Sequence, residues 1–222
     1  MTAAQDQAIE IPFAGGPLPG LLRQPAAARW LYVFAHGAGA GMRHAFMAAM
    51  AEAFATHGIA TLRYELPFMA RGGRRPDPPA VCEAAVRAAC GVAMPIGLPM
   101  IAGGKSMGGR MTSQAQAHAP LEGVRGLVFL GFPLHLAKKP ATTRAVHLAE
   151  IRVPMLFVQG PRDALAEPAL LAPVLAALPT ATYAEIDGAD HGFAVPARRR
   201  GDDIPDEIAG HVARWIAAAI RD

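Results

Sequence analysis

Two serines occur in the whole chain, Ser106 and Ser113, and there is no asparagine. Ser106 lies in Gly104-Lys105-Ser106-Met107-Gly108, a G-x-S-x-G. That pattern describes a sharp strand-to-helix turn which lifts a serine hydroxyl clear of a sheet. The flanking glycines meet its steric demand, because side chains two residues before and after the serine would collide across the turn. Gly103 and Gly109 leave further room for the helix to pack closely. A phosphate-cradling G-x-x-x-x-G-K-S is the competing reading, but its first glycine would fall at Pro99, and the residues before Gly104 read as strand.

A serine hydroxyl attacks a carbonyl only when a base takes its proton, and the base needs a third group to hold its tautomer. In an α/β sheet such groups collect beyond the carboxyl ends of the parallel strands. Asp163 follows the apolar run Val153–Gly160, and His191 follows Ala181–Ile186. The chain order Ser106, Asp163, His191 is that of a nucleophile elbow. Asp190 is a rival acid, although a residue adjoining the histidine is badly placed to face its ring. His36 and His135 also sit just past strands, where they would line a site. The other histidines fall in or beside helices. With no asparagine, the donors for an oxyanion must be backbone amides. Met107 supplies one, and the glycine-rich loop His36-Gly37-Ala38-Gly39-Ala40-Gly41 supplies the other, through Ala38 or Gly39.

The elements that must position these residues alternate. Ala8–Phe13 and Leu18–Arg23 read as short strands about a Gly-Gly-Pro turn. Trp30–Ala35, Ile59–Tyr64, Pro99–Gly103, Gly126–Gly131, Val153–Gly160 and Ala181–Ile186 read as further strands. Ala45–His57, with Phe46, Met50 and Phe54 on one face, reads as helix. So do Val81–Val92, Met107–His118, Thr142–Glu150 and Ala166–Leu178, while Glu65–Pro79 reads as a loop. The last helix is capped by Asp202 or Asp203, with Pro205 in its first turn, and turns Ile204, Ile208, Val212, Trp215 and Ile216 toward the core. Strands alternating with helices predict an α/β fold with a mostly parallel sheet covered on both faces. At 222 residues the chain is expected to form a single domain over 1–222.

Composition narrows the class. With 52% hydrophobic and 18% charged residues the chain is not a disordered one. The net charge of +3 is spread out, densest at Arg71, Arg74, Arg75 and at Arg198–Arg200, with no nucleic-acid module beside it. Cys82 and Cys90 are eight apart in a helical stretch, roughly 12 Å at about 1.5 Å per residue, too far to bridge. Met1 to Pro12 shows no basic region followed by an apolar stretch, and the longest uncharged runs are shorter than the ~20 residues of a spanning helix. The expectation is a cytoplasmic protein, monomeric or homodimeric, with no nucleic-acid or membrane partner. No cofactor or metal is expected, since no H-E-x-x-H or paired C-x-x-C occurs.

The set HGAGAG, GGKSMGG, GFPLH, VPMLFVQGPRD and DHGF resembles the small family described as predicted α/β-superfamily hydrolases. That family includes the hydrolase-like domain of a eukaryotic histone-acetyltransferase complex subunit, and dienelactone hydrolases are more distantly similar. The resemblance spans about Trp30 to Ala194. It implies an α/β-hydrolase fold, with an eight-stranded sheet whose second strand is antiparallel. It also implies Ser106 as nucleophile, Asp163 as acid and His191 as base. A dienelactone hydrolase would carry cysteine in place of Ser106, which argues against that substrate class. Only Phe132–Ala141 separates the strand ending at Gly131 from the next helix, where larger hydrolases often insert a lid. A lid-less site excludes water poorly, which favours a small acyl substrate, an ester or thioester, over long lipids. Phe68, Arg71 and Arg74 in the loop 65–79 are expected near the mouth, the arginines attracting an anionic acyl group. Lys105 and His135 are further candidates for substrate contact. The eukaryotic relative motivates the alternative of an interaction module with little turnover.

Overall fold

Runs that are apolar on both faces form the centre of the molecule. In the computed structural model, which describes residues 4–199 and 203–220, they build an eight-stranded sheet. The strands are β1 (Asp6–Ile11), β2 (Leu18–Arg23), β3 (Trp30–Ala35), β4 (Ile59–Tyr64), β5 (Met100–Lys105), β6 (Val124–Leu130), β7 (Met155–Gln159) and β8 (Ala181–Glu185), in the order β1-β2-β4-β3-β5-β6-β7-β8. β2 runs antiparallel to β1 and β4, and every other neighbouring pair is parallel. Side chains alternate across the sheet, so β3 sends Leu31, Val33 and Ala35 into one core layer and Tyr32 and Phe34 into the other.

Six helices cover the faces: α1 (Ala45–Thr56), α2 (Pro67–Ala70), α3 (Pro79–Ala93), α4 (Met107–His118), α5 (Pro168–Ala176) and α6 (Ile204–Ala219). Buried residues of α3, α4 and α5 join the first layer, and those of α1 and α6 the second. In α6 the Asp203 carboxylate accepts the Asp206 N–H at 3.1 Å and caps the helix; Asp202, like Arg200, lies outside the described residues. Trp215 is buried in the second layer. The stretch Pro79–Ile96 is long and apolar enough to cross a membrane by length and composition. Its α3 face, however, buries Cys82, Ala85, Val86, Ala89 and Cys90 in the first layer. Both cysteines are free, and burial raises their thiols to about 11 and about 12.

Several ends, among them those of β5, β6, β7, α3 and α5, lie one or two residues from the expected bounds, and three further differences have a local cause. β1 lies nearer the N-terminus, because Pro12 cannot donate to the ladder and Asp6 pairs with Arg23 across it, side chain to side chain, at 2.8 Å. The loop after β4 holds the short helix α2, started by Pro67 at its first position. The segment Thr143–Glu150 is a 3-10 helix, with no side-chain cap at Thr142.

Candidate active site

The elbow stands at the C-terminal end of β5, in the middle of the sheet. Ser106 has φ 51° and ψ −115°, and it is followed at once by α4. Few side chains tolerate such a backbone, so it persists only where its surroundings hold it. They do so through the Ser106 N–H, which donates to the Leu130 carbonyl at 3.0 Å, and the Ser106 carbonyl, which accepts from Arg110 N at 3.2 Å. The glycines are needed for a reason that spacing alone did not reveal. A Cβ on Gly104 would lie 2.3 Å from the Ala35 carbonyl oxygen. One on Gly108 would lie 2.5 Å from the carbonyl oxygens of both Ala35 and His36. The turn is pressed against the end of β3, and that contact, more than a clash across the turn, excludes side chains.

Three side chains from three different strand ends meet here. His191 Nε2 is 2.8 Å from Ser106 Oγ, and His191 Nδ1 is 2.7 Å from Asp163 Oδ2. The Asp163 side chain is fully buried, while that of His191 is 27% exposed. Asp163 Oδ1 accepts from the Leu165 N–H at 2.8 Å, and Oδ2 also accepts from Gln159 Nε2 at 2.9 Å. Both oxygens are therefore engaged, and one lone-pair direction of Oδ2 faces the imidazole. Asp190, the rival acid, turns instead to its own loop, where Oδ1 accepts from the N–H groups of Gly192 at 2.8 Å and Ala194 at 3.0 Å. It shapes the segment that presents the histidine.

The loop after β3 faces the serine. A cleft of about 250 Å³ is lined by Gly37, Ala38, Gly39 and Ala40 on one side and by Lys105, Ser106, His191 and Gly192 on another. The amides of Ala38 and Met107 donate to no acceptor among the described residues, which leaves both available to an oxyanion. His36 does not reach the cleft. It is fully buried; its Nε2 accepts from Leu66 N at 2.9 Å, and its Nδ1 lies 2.7 Å from the Gly37 carbonyl. The ring is thus a donor at Nδ1 and a brace for the loop. The buried Arg63 adds a second brace, from Nη1 to the Met42 carbonyl at 3.3 Å.

Other expected substrate contacts lie elsewhere. Phe68 is buried against the His36 ring, edge to face, at 5.9 Å. Arg71 is exposed and pairs with Asp77 at 2.7 Å, and neither it nor the exposed Arg74 lines the cleft. α2 takes up the start of this loop and packs Phe68 inward. His135 is buried and held by Glu167 at 2.5 Å. Of the residues expected to contact substrate, Lys105 alone lines the cleft.

Ser113 is buried in α4, where its hydroxyl donates to the Arg110 carbonyl at 2.8 Å and lies 2.7 Å from His147 Nε2. Burial, with Arg110 and His118 nearby, lowers His147 to about 4, so this ring is neutral and serves as a donor to the hydroxyl. This second serine–histidine pair is away from the cleft, and it has no strained turn to present it.

Sequence reasoning missed four contributors. His44, Phe46 and Met47 line a further wall of the cleft, apolar at Phe46 and Met47. Phe46 packs against the second core layer and also lines the cleft, its ring stacked on Phe193 at 5.7 Å with 7° between planes. Gln159, at the end of β7, is the fourth: its amide spans the Phe132 main chain and Asp163. A lone glutamine closing an apolar strand was the available signal. Gln159→Leu is expected to leave the Phe132 N–H and Asp163 Oδ2 short of a partner, costing about 1–3 kcal/mol of stability. It is also expected to lower kcat roughly tenfold through the loosened carboxylate. A thermal melt and steady-state kinetics measure both, and an unchanged kcat would mean that the remaining contacts hold Asp163 unaided.

The fold and site define an α/β-hydrolase without a lid domain. Residues 28–221 match the model of the alpha/beta hydrolase domain family, and the chain belongs to that family. In fold it is similar to a dienelactone hydrolase from Anabaena variabilis, with 21% identity, 99% of this chain and 100% of that one covered, and a TM-score of 0.78. A serine hydrolase without a lid from Xanthomonas campestris has 20% identity, 95% coverage of each chain and a TM-score of 0.74. The esterase domain of a Rhodothermus marinus protein has 16% identity, covers 96% of this chain and 98% of that one, and has a TM-score of 0.71.

Proposed function

We propose that this protein is a serine hydrolase that cleaves a small ester or thioester through an acyl-enzyme on Ser106. The observation that carries the reading is the unbroken hydrogen-bonded chain from Ser106 Oγ through His191 to Asp163, at a strained elbow facing an open cleft. His191 takes the hydroxyl proton at Nε2 as Ser106 Oγ bonds to the substrate carbonyl carbon. The oxyanion is held by the N–H groups of Met107 and Ala38, with Gly39 beside them. Asp163 fixes the tautomer and stabilises the imidazolium. The imidazolium then protonates the leaving alcohol or thiol as its bond to carbon breaks. Water repeats the sequence on the acyl-enzyme and regenerates the free serine.

The cleft favours short acyl groups. It is open, about 250 Å³, and its wall of Phe46 and Met47 offers apolar surface close to the nucleophile. Dienelactone hydrolase, serine hydrolase and esterase are the descriptions borne by structures similar in fold, and all suit acyl transfer. The chain is read as one domain in the cytoplasm, where a reducing milieu keeps Cys82 and Cys90 as thiols.

A fluorophosphonate probe tests the reading. Wild type and Ser113→Ala are expected to be labelled, and Ser106→Ala is not. Equal labelling of Ser106→Ala, or none of wild type, would overturn it; an unlabelled wild type is what an interaction module of this fold predicts. Short p-nitrophenyl esters against acyl-CoA thioesters, with Ser106→Ala as blank, then distinguish the leaving groups.

A further inference from the structure

The residue beside the nucleophile reaches the base. Lys105 is the last residue of β5, and its Nζ donates to the His191 main-chain carbonyl at 2.5 Å. The ammonium also lies 5.3 Å from the centre of the Phe193 ring. Its place exists because Gly131, at φ 70°, has no side chain: a Cβ there would lie 2.9 Å from Lys105 Nζ and 3.5 Å from His191 Nδ1. β5, the end of β6 and the histidine loop therefore converge on one part-buried ammonium.

That convergence matters because the only ladder contact at the base of the histidine segment among the described residues is the bridge of Asp190 with Arg162, and no strand or helix carries His191 itself. The bonds Asp190 makes to Gly192, Phe193 and Ala194 lie within that segment. They give the loop its shape without fixing where the ring stands relative to the serine. The lysine bond is different, since it joins the neighbour of the nucleophile to the backbone of the base. We propose that Lys105 is a positioning residue, whose side chain ties the His191 carbonyl to the elbow and so sets the distance from imidazole to Ser106 Oγ. The proposal rests on Ser106 being the nucleophile.

The choice of lysine is costly. Burial lowers its ammonium to about 8, with the charges of Asp163 and Asp190 acting in the opposite direction. No carboxylate pairs with it within 4.0 Å among the described residues. Charged and titratable groups around it are Asp163 from the turn after β7, Asp190 and His191 from the histidine loop, and His44 across the cleft. Arg162 is turned away to the Gly188 carbonyl at 3.3 Å. A methionine of similar length would fill the same space without the desolvation penalty, so packing alone does not call for a cation here. A charged donor makes the stronger bond to a carbonyl. The sign of the pH dependence follows: the ammonium is present below about 8 and is lost above it, so the bond weakens on the alkaline side.

The test is kcat of wild type and Lys105→Met from pH 6 to about 10, with thermal melts and fluorophosphonate labelling alongside. Wild type is expected to lose activity as pH rises through about 8. Lys105→Met is expected to be about 10- to 100-fold slower at neutral pH, the usual cost of a misplaced catalytic group, and to lack that alkaline fall. If the methionine variant does not fold, Lys105→Gln is measured in its place. A Lys105→Met enzyme with wild-type kcat, or with the same alkaline fall, overturns the proposal, as does a wild type whose kcat stays flat across the range. These failures leave wild type labelled and active. An unlabelled wild type would instead sink the Ser106 reading beneath it.

Discussion

Asp163→Asn is expected to lower kcat about 10⁴-fold while leaving the fold and the fluorophosphonate site in place. The direction follows from the hydrogen bonds already on the carboxylate. Oδ1 accepts from the Leu165 amide, so the asparagine keeps its carbonyl oxygen there and turns its NH₂ toward His191 and Gln159. An NH₂ opposite Nδ1 forces that nitrogen to accept, and the ring proton moves to Nε2. Nε2 then donates to Ser106 Oγ where it should accept from it, and the base is lost although every heavy atom stays near its place. Gln159 can answer the new donor only by flipping its amide, which would break its bond from Phe132 N–H. Steady-state kinetics on a short ester measures the loss, with circular dichroism as the check on fold. A drop of only a few-fold would mean that the acid merely orients the ring.

The largest effect on stability is expected at Gly103. Its φ is 150°, and a Cβ there would lie 1.8 Å from the carbonyl oxygen of Val128, its partner in the β5–β6 ladder. β5 cannot move aside, because β3 holds its other edge. Gly103→Ala combines a strained backbone, about 1–3 kcal/mol, with overpacking of about the same size. For a domain of this length, roughly 2–4 °C is lost per kcal/mol, so the melting temperature should fall on the order of 10 °C. Gly91→Ala is the control. That glycine lies inside α3 with open space around its Cβ position, and alanine there should stabilise by about 0.5–1 kcal/mol. Two variants melting together with wild type would mean that the ladder can give way around residue 103.

Legibility in the sequence was uneven, and the reason is the range of the forces involved. Strands such as Trp30–Ala35 and Ile59–Tyr64 were readable with their bounds because burial on both faces makes the whole run apolar, a purely local record. The N-terminal strand was misplaced because its bounds come from the register with β2 and from Pro12. The helix at Pro67–Ala70 was missed because it is one turn long and carries no periodicity. For the site, Ser106 was legible from the glycines that its backbone needs. Asp163 and His191 were legible as residues just past strand ends.

Side-chain direction was not legible. His36 and His135 share with His191 a place after a strand, yet Leu66 N–H claims one ring and Glu167 the other. Arg71 and Arg74 were drawn to the site by their charge, while Phe68 packs inward and neither arginine lines the cleft. Phe46 shares the apolar face of α1 and serves both the second core layer and the cleft wall, because a helix face at the edge of a core is apolar on either account.

The sequence by itself determined the parts from which the proposed chemistry is drawn: one serine able to occupy an elbow, no asparagine for an oxyanion, and an acid and a histidine in the right order. These are statements about residue types and backbone freedom, which a chain carries before it folds. Only the tertiary structure decided which histidine faces the serine, that Gln159 shares the aspartate, and that Lys105 reaches across to the base. Those outcomes depend on strands far apart in the chain ending side by side, and no local pattern records which groups will then lie within 3 Å of one another.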